Sequence, residues 1–148
     1  MYILLLATLL GVVPQVTDLS GLQRLHAVQP VVLYVSRTDC TFCKRFERDV
    51  LAPLMKSGRF EGQAIFLELT MDAPGKIRDF NGTEATPAQV ARRLGVELTP
   101  TLLILDSRGQ LLAPPKTGYN GNEFYSYYFE RAISEAVDLL SGRMPSGR

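Results

Sequence analysis

The chain has 148 residues, a length that fits one domain with a substantial hydrophobic core and is too short for two ordinary domains. Its apolar share of 46% and charged share of 21% are ordinary for a folded globular protein. The formal net charge is +1 and neither half carries a long basic run, so we expect no nucleic-acid partner, since such binding needs a concentrated basic face.

An uncharged, mainly aliphatic run opens the chain at residues 3–13. The run is too short to span a bilayer, and it matches the apolar part of a secretory signal, although no basic residue precedes it and no Ala-x-Ala pattern follows. The alternative is a buried strand or helix of the domain. We expect residues 1–16 to be a signal peptide or apolar leader, residues 17–141 a folded domain and residues 142–148 a flexible tail. No stable membrane span is expected once the leader is removed.

Hydrophobic periodicity and turn-forming residues divide the remaining chain into helices and strands. In the first half we predict a short helix at 17–29, a buried strand at 31–35, a helix at 40–58, a strand at 64–69 and a long polar loop at 72–85. In the second half we predict a helix at 86–94, a strand at 101–105, a tight turn at 106–109, a partner strand at 110–113 and a last helix from Asn120 or Asn122 through Leu140. This order predicts an α/β fold with a central mixed β-sheet and helices on both of its faces.

Both cysteines of the chain lie in one Cys-x-x-Cys segment, Cys40-Thr-Phe-Cys43. A structural zinc site needs four ligands, usually two such pairs or two Cys with two His, and this chain offers only His26 besides its two cysteines. A redox dithiol also explains the placement. If a helix begins at Cys40, its sulfur lies near unpaired backbone N–H groups and the positive end of the helix dipole, which favour the thiolate.

The spacing of the two cysteines predicts a division of roles. Cys43 lies one helical turn after Cys40, close enough to attack a mixed disulfide at Cys40 and release the partner. We therefore predict Cys40 and Cys43 as the catalytic residues, with Cys40 as the nucleophile. A static structural disulfide and a metal carrier that uses both thiolates stay open as alternatives.

Three segments together resemble the thioredoxin superfamily: the buried strand at 31–35, the Cys-x-x-Cys that opens a helix, and Thr99-Pro100-Thr101 before a strand and hairpin. The resemblance covers about residues 17–140. In that family the proline before the third strand is cis and packs beside the two sulfurs. The resemblance implies that Pro100 is this cis-proline and that Thr99 offers backbone groups to the substrate chain in strand-like pairing.

The chain departs from cytosolic thioredoxins at several positions of the motif. Asp39 stands where a tryptophan usually precedes the first cysteine, and Tyr34 stands where thioredoxins bury an aspartate. We consider Glu47 and Glu68 as acids that take the place of that aspartate. The threonine before the proline and the aromatic residue before the second cysteine look more like exported bacterial relatives of the sulfur-oxidation and cytochrome-maturation type.

The resemblance implies a periplasmic or otherwise extracytoplasmic thiol–disulfide oxidoreductase, an enzyme acting as a reductase or isomerase. Its expected partners are protein thiols and disulfides together with a membrane electron donor, and no cofactor or metal is expected. The alternative from a different class is a binding or chaperone module of thioredoxin fold whose disulfide is static.

Overall fold

Four strands form the central sheet of the computed structural model, which describes residues 12–142. These strands are β1 (Val31–Ser36), β2 (Ile65–Thr70), β5 (Thr101–Leu105) and β6 (Lys116–Thr117), and the two-residue strands β3 (Ile77–Arg78) and β4 (Glu84–Ala85) pair separately. The spatial order is β2-β1-β5-β6, with β1 parallel to β2 and antiparallel to β5, and with β5 antiparallel to β6. The predicted mixed sheet is therefore confirmed.

The helices of the described residues are α1 (Leu22–Leu25), α2 (Thr41–Phe46), α3 (Ala52–Ser57), α4 (Pro87–Arg93) and α5 (Tyr125–Leu140). A single π-helical turn, Glu47–Leu51, joins α2 to α3, so that the three pieces form the helix predicted at 40–58. The π turn ends just before Pro53, which has no N–H to donate to the preceding turn. Gly58 ends α3 in the left-handed region at φ 66°, where glycine carries no Cβ penalty.

The sheet buries apolar side chains on both faces, as the sequence predicts. On one face, Val32, Tyr34, Leu102 and Ile104 meet residues of α2, the π turn, α3 and α5. On the other face, Val31, Leu33, Val35, Leu103 and Leu105 meet α4 and the segment that precedes β1. β1 is buried along its whole length because its neighbours β2 and β5 pair with both of its edges while helices cover both of its faces.

An aromatic cluster supports the helix that carries the cysteines. Phe46 lies at its centre and is fully buried, with its ring centroid 5.2 Å from that of Tyr34, 5.9 Å from those of Tyr119 and Tyr125, and 6.2 Å from that of Phe129. Tilted and edge-on packing of this kind adds stability beyond the buried area. The cluster joins α2 to β1, to α5 and to the loop before α5.

Most of the segment before β1 consists of turns and bends, so the prediction of a helix at 17–29 is largely wrong. The N–H of Leu19 donates to the carbonyl of Arg78, and the N–H of Arg78 donates to the carbonyl of Thr17. These two bonds form an isolated bridge between Asp18 and Arg78 of β3, and only Leu22–Leu25 is helical. Backbone pairing with a distant strand thus outweighs the helical spacing of the apolar residues in this segment.

Residues 12–16 pack against the sheet, whereas residues 1–11 of the expected leader lie outside the described residues. Val13 and Val16 are buried. The N–H of Glu68 donates to the carbonyl of Pro14, and the N–H of Val16 donates to the carbonyl of Glu68. The end of the expected leader therefore runs alongside β2.

The loop predicted at 72–85 contains the short β3–β4 hairpin, so that prediction is wrong in part. Asp79 shapes the turn between these strands, because its Oδ1 accepts hydrogen bonds from the N–H groups of Asn81 and Thr83. Its other carboxyl oxygen accepts from Arg93 of α4 at 2.8 Å. A polar segment can therefore be well ordered through side-chain bonds to its own backbone.

The partner strand predicted at 110–113 is also misplaced. The tight turn forms as predicted, with Asp106 Oδ1 accepting from Arg108 and Gln110, but only one bridge, Leu105 to Leu111, follows it. The partner of β5 is β6, which begins after two consecutive prolines at 114–115. Proline has no N–H for a strand ladder, so regular pairing resumes only beyond them.

The last helix begins at Tyr125, and neither Asn120 nor Asn122 is its N-cap. Asn122 Oδ1 accepts from the N–H of Phe124, and Asn120 Oδ1 accepts from the N–H of Asn122, so both residues order the turn before the helix instead. The helix turns Phe129, Ile133 and Ala136 into the core, where they are buried, whereas Tyr125 and Leu140 are only partly covered.

We expect Phe46→Ala to lower the free energy of unfolding by about 3–5 kcal/mol, because it empties the centre of the aromatic cluster. Phe42→Ala is the matched control, since Phe42 lies in the same helix with 54% of its surface exposed and should cost well under about 1 kcal/mol. Urea unfolding of both variants measures the two values. Similar losses in the two variants would contradict the packing described here.

Candidate active site

The two cysteines form a disulfide at the start of α2. Cys40 is the N-cap residue, in extended conformation, and its Cα lies 5.2 Å from that of Cys43. Cys40 Sγ accepts a hydrogen bond of 3.1 Å from the backbone N–H of Cys43, one of the N–H groups that the helix itself leaves unpaired. Only 8% of Cys40 and 2% of Cys43 is exposed. The predicted helix start at Cys40 is therefore confirmed.

The Thr99-Pro100 segment lies directly beside the first sulfur. Thr99 Oγ1 is 3.4 Å from Cys40 Sγ, although the two residues are 59 positions apart in the chain. The Thr99–Pro100 peptide bond is cis. Thr101 Oγ1 donates to the carbonyl of Leu98 at 2.7 Å and so fixes the turn into β5. The four site residues named from the sequence are thus brought together.

The backbone of Thr99 is open for pairing. Among residues 12–142, neither its N–H nor its C=O has a hydrogen-bond partner, while the carbonyl of Pro100 accepts from Gly118 at 2.7 Å. An unpaired segment of this kind next to a sheet can accept an added strand.

An open groove of about 520 Å³ leads away from Thr99. Two exposed apolar side chains, Phe42 at 54% and Leu98 at 67%, lie next to the disulfide and to Thr99 in the chain. The groove is mostly aromatic and polar, and its lining residues are Phe42, Thr99, Thr117, Gly118, Tyr119, Asn120, Asn122 and Tyr125.

A smaller polar cavity of about 200 Å³ reaches both cysteines from another side. Its other lining residues are Gln15, Ser36, Arg37, Thr38, Lys44, Glu47, Glu68 and Thr70. Both acids that the sequence analysis considered therefore lie next to the disulfide. Glu47 Oε1 accepts a hydrogen bond of 2.9 Å from the Tyr34 hydroxyl, and burial together with the nearby Glu47 raises the pKa of Tyr34 well above its ordinary value.

Two hydrogen bonds hold the loop that leads into Cys40. Asp72 Oδ1 accepts from the backbone N–H of Thr38 at 2.9 Å and from the Thr38 hydroxyl at 3.1 Å. The backbone bond from Thr38 lowers the pKa of Asp72 from its ordinary value of 3.8. Asp72 thereby ties the loop after β1 to the loop after β2.

A third contact ties the π turn to the loop that lines the groove. The Tyr119 hydroxyl donates to Asp49 Oδ2 at 3.1 Å, and Arg48 donates to Asp49 Oδ1 at 2.8 Å. The bond from Arg48, helped by that from Tyr119, lowers the pKa of Asp49, whereas burial and the bond to Asp49 raise that of Tyr119.

Sequence reasoning missed Gln15, Ser36, Thr70 and Asp72. A signal for two of them was present, because Ser36 and Thr70 are polar residues that end two apolar strands, and they are register partners in the parallel pair β1–β2. The carboxyl ends of parallel strands commonly border functional sites in open α/β sheets. Asp72 and Gln15 carried no such signal, since their positions depend on tertiary contacts.

Within residues 12–142, no group of three or more His, Cys, Asp and Glu side chains is arranged to hold a metal ion. None of the helices described for these residues has the length and apolar character needed to cross a membrane.

The fold and the disulfide at a helix start define a thioredoxin-fold protein with a Cys-x-x-Cys pair, the type of site used in thiol–disulfide exchange. A family model described as a thioredoxin-like domain matches residues 25–132. The chain therefore belongs to the thioredoxin-like family. A comparison with curated protein sequences finds no match.

The structure is similar to several solved thioredoxins. The reduced thioredoxin pre-protein of Schistosoma mansoni is 20% identical, with 83% of this chain and 96% of that chain covered and a TM-score of 0.56. Thioredoxin f from spinach chloroplast is 22% identical, with 85% and 96% covered and a TM-score of 0.52. The periplasmic thioredoxin SoxS from Paracoccus pantotrophus is 21% identical, with 73% and 99% covered and a TM-score of 0.47. At these identities the likeness to the Schistosoma mansoni and spinach proteins shows the fold alone.

The low pKa of Asp72 predicts a pH-dependent difference in stability between the protein and its Asp72→Asn variant. Because the folded-state pKa is depressed, the charged carboxylate stabilises the fold above its ordinary pKa of 3.8, and this contribution is lost as the pH falls through the lower folded value. We expect the variant to be less stable at pH 7 by less than about 1 kcal/mol, since exposed charges are screened. Thermal unfolding at neutral and acidic pH measures the difference, and a difference that stays unchanged at about pH 3 would contradict this account.

Proposed function

We propose that the protein is an exported thiol–disulfide oxidoreductase that reduces or isomerises disulfides of other proteins through Cys40 and Cys43. The observation that carries the proposal is the placement of Cys40 Sγ between the first N–H groups of α2 and the hydroxyl of Thr99. Hydrogen-bond donors on one sulfur favour its thiolate, which is the reactive form in exchange.

In the reduced protein the Cys40 thiolate attacks one sulfur of a client disulfide. A bond forms between Cys40 Sγ and that sulfur, and the other client sulfur leaves as a thiolate. In a reverse step, in which Cys40 is the leaving group, the Cys43 N–H and the Thr99 hydroxyl stabilise its thiolate in the same way.

Cys43 then resolves the mixed disulfide. Its sulfur attacks Cys40 Sγ, the Cys40–Cys43 bond forms, and the client leaves with both of its cysteines reduced. The client gains two electrons, and this chain ends in the disulfide form that the structure shows. A further cycle needs an electron donor, which for an exported protein we propose to be a membrane protein.

We propose that Thr99 and Pro100 position the client. The unpaired N–H and C=O of Thr99 can form strand-like hydrogen bonds with an extended segment beside the client cysteine. The exposed side chains of Phe42 and Leu98 offer apolar contacts on either side of that segment.

The proposal of export is based on the apolar run at the start of the chain. Because Val13 and Val16 are buried and residues 14–16 bond to β2, we propose that any cleavage falls ahead of residue 12 rather than after residue 16. Mass spectrometry of the natively exported protein gives its first residue, and an intact Met1 would contradict removal of the leader.

A binding module with a static disulfide is the second candidate. The low exposure of both cysteines favours it, since a shielded disulfide is attacked slowly. The two candidate functions differ in whether the Cys40–Cys43 bond is broken and formed again by exchange with the disulfide of another protein.

We expect Cys40→Ser to lower the rate of insulin disulfide reduction by more than about a hundredfold, because the variant lacks the attacking thiolate. Cys43→Ser should instead accumulate mixed disulfides with client proteins, because the attack by Cys40 still occurs and its resolution does not. Activity assays with dithiothreitol and non-reducing electrophoresis measure the two effects. If Cys40→Ser keeps the full rate, the proposed mechanism is wrong.

A further inference from the structure

We infer that the cavity between the tip of the β3–β4 hairpin and the end of α4 is a second ligand site, and that it takes a small organic carboxylate with an apolar body. The cavity has a volume of about 360 Å³. It shares no lining residue with the groove beside Thr99 or with the polar cavity beside the cysteines. The inference is therefore independent of the proposed function.

The cavity lies at the end of β5 that is remote from the disulfide. β5 begins directly after Pro100 and leads to the tight turn that carries Arg108 and Gly109, both of which line the cavity. The hairpin tip at 79–81, the end of α4 and Gln23 complete the lining. Four segments that are distant in the chain thus enclose a space within the size range of small-molecule sites, about 300–1,000 Å³.

Part of the lining is apolar and closely packed. A Cβ at Gly109 would lie 2.6 Å from Cδ2 of Phe80, so the ring of Phe80 lies directly against the backbone of the tight turn. Gly109 also has a φ of 89°, in the left-handed region that favours glycine. Val90 is buried beside this ring, whereas Phe80 and Leu94 are only partly covered. Their open apolar surface favours a ligand with a hydrocarbon body over an inorganic ion.

A buried acid holds Arg93 at the cavity. The Arg93 guanidinium donates to Asp79 Oδ2 at 2.8 Å, and only 7% of Asp79 is exposed. Asp79 is itself held by the backbone N–H groups of Asn81 and Thr83, which donate to its Oδ1. Among residues 12–142 this is the only side-chain bond of Arg93, so most of its N–H donors stay free for a ligand while its position is fixed.

Arg108 brings a second guanidinium to the same cavity. It is exposed, and within the part of the chain that the structure describes its side chain has neither a hydrogen bond nor an ion pair. Asp106, the nearest acid in the chain, uses its Oδ1 to accept from the N–H groups of Arg108 and Gln110 and does not line the cavity. The charge of Arg108 is therefore available to a ligand.

The charges of the lining determine the charge of the ligand. Of the described residues that line the cavity, the ionic ones are Arg93, Arg108 and Asp79, which leaves one positive charge without a counterion. A carboxylate balances this charge, whereas a phosphate monoester would bring nearly two negative charges. Guanidinium groups also bind carboxylates through paired N–H donors. The apolar side chains then contact the body of the same molecule.

Titration of the parent protein with benzoate tests the site. In amide nuclear magnetic resonance spectra we expect saturable shifts at Asn81, Leu94 and Gly109, and none at Thr41 or Thr99 of the active site. Acetate, which has the charge without the ring, should bind at least about tenfold more weakly. Benzyl alcohol, which has the ring without the charge, should also bind at least about tenfold more weakly. Equal binding of benzoate and either analogue, or no saturation by about 50 mM benzoate, would overturn the inference.

Arg108→Ala separates the cavity from general surface charge. Because the side chain is exposed and unbonded, the variant should fold like the parent protein, and its Kd for benzoate should rise at least about fivefold. Arg92→Ala is the matched control, since Arg92 lies next to Arg93 on α4, is exposed, carries the same charge and does not line the cavity. Its Kd should stay within about twofold of the parent value.

An unchanged Kd in Arg108→Ala would overturn the inference, as would an equal rise in Arg92→Ala. If Arg108→Ala does not fold, Arg108→Gln takes its place, with the same expected rise and the same contradicting results.

These outcomes are distinct from a failure of the proposed function. The titration uses the disulfide form that the structure shows and needs no exchange at the cysteines. If benzoate does not bind, the proposed function stands and only the second site is lost. If the disulfide proves static, the second site is tested by the same titration.

Discussion

The antiparallel pairing of β1 with β5, in the register that sets Val35 opposite Thr101, is the constraint on which the site depends. β1 delivers the chain to Cys40 a few residues after its last paired position, and β5 begins directly after Pro100. Because the two strands run in opposite directions, the end of one lies beside the start of the other. Cys40 and Thr99 therefore meet although they are far apart in the chain.

The cores on the two faces of the sheet hold this register in place. A shift of β1 by one residue would turn its side chains to the opposite faces, and every residue of this strand is buried. Below α2, the rings around Phe46 fix the helix against β1 and α5, so the start of the helix is held relative to the sheet. The site residues thus lie on a loop and at the start of a helix, and their relative positions are fixed by the packed sheet and helices beneath them.

The sequence predicts the buried elements well and the contacts between them poorly. The strand at 101–105 and the capping box at Thr86 follow from local patterns, because β-branched runs and cap residues act within a few positions. The bridge of Asp18 to Arg78 in the segment before β1 could not be predicted in this way, since Arg78 belongs to a hairpin that is distant in the chain. In the site, the motif predicts the cysteines, but the cavity around Glu68 depends on strand register, which no local pattern specifies.

The central claim is that the Cys40–Cys43 bond is made and broken in function rather than serving as a permanent crosslink. The reduction potential of this bond, measured by equilibration of the protein with glutathione or dithiothreitol buffers, tests the claim most directly. A potential above about −300 mV, in the range of catalytic members of this fold, is what the account predicts. A bond that resists reduction to well below about −300 mV would mark it as structural and would contradict the account.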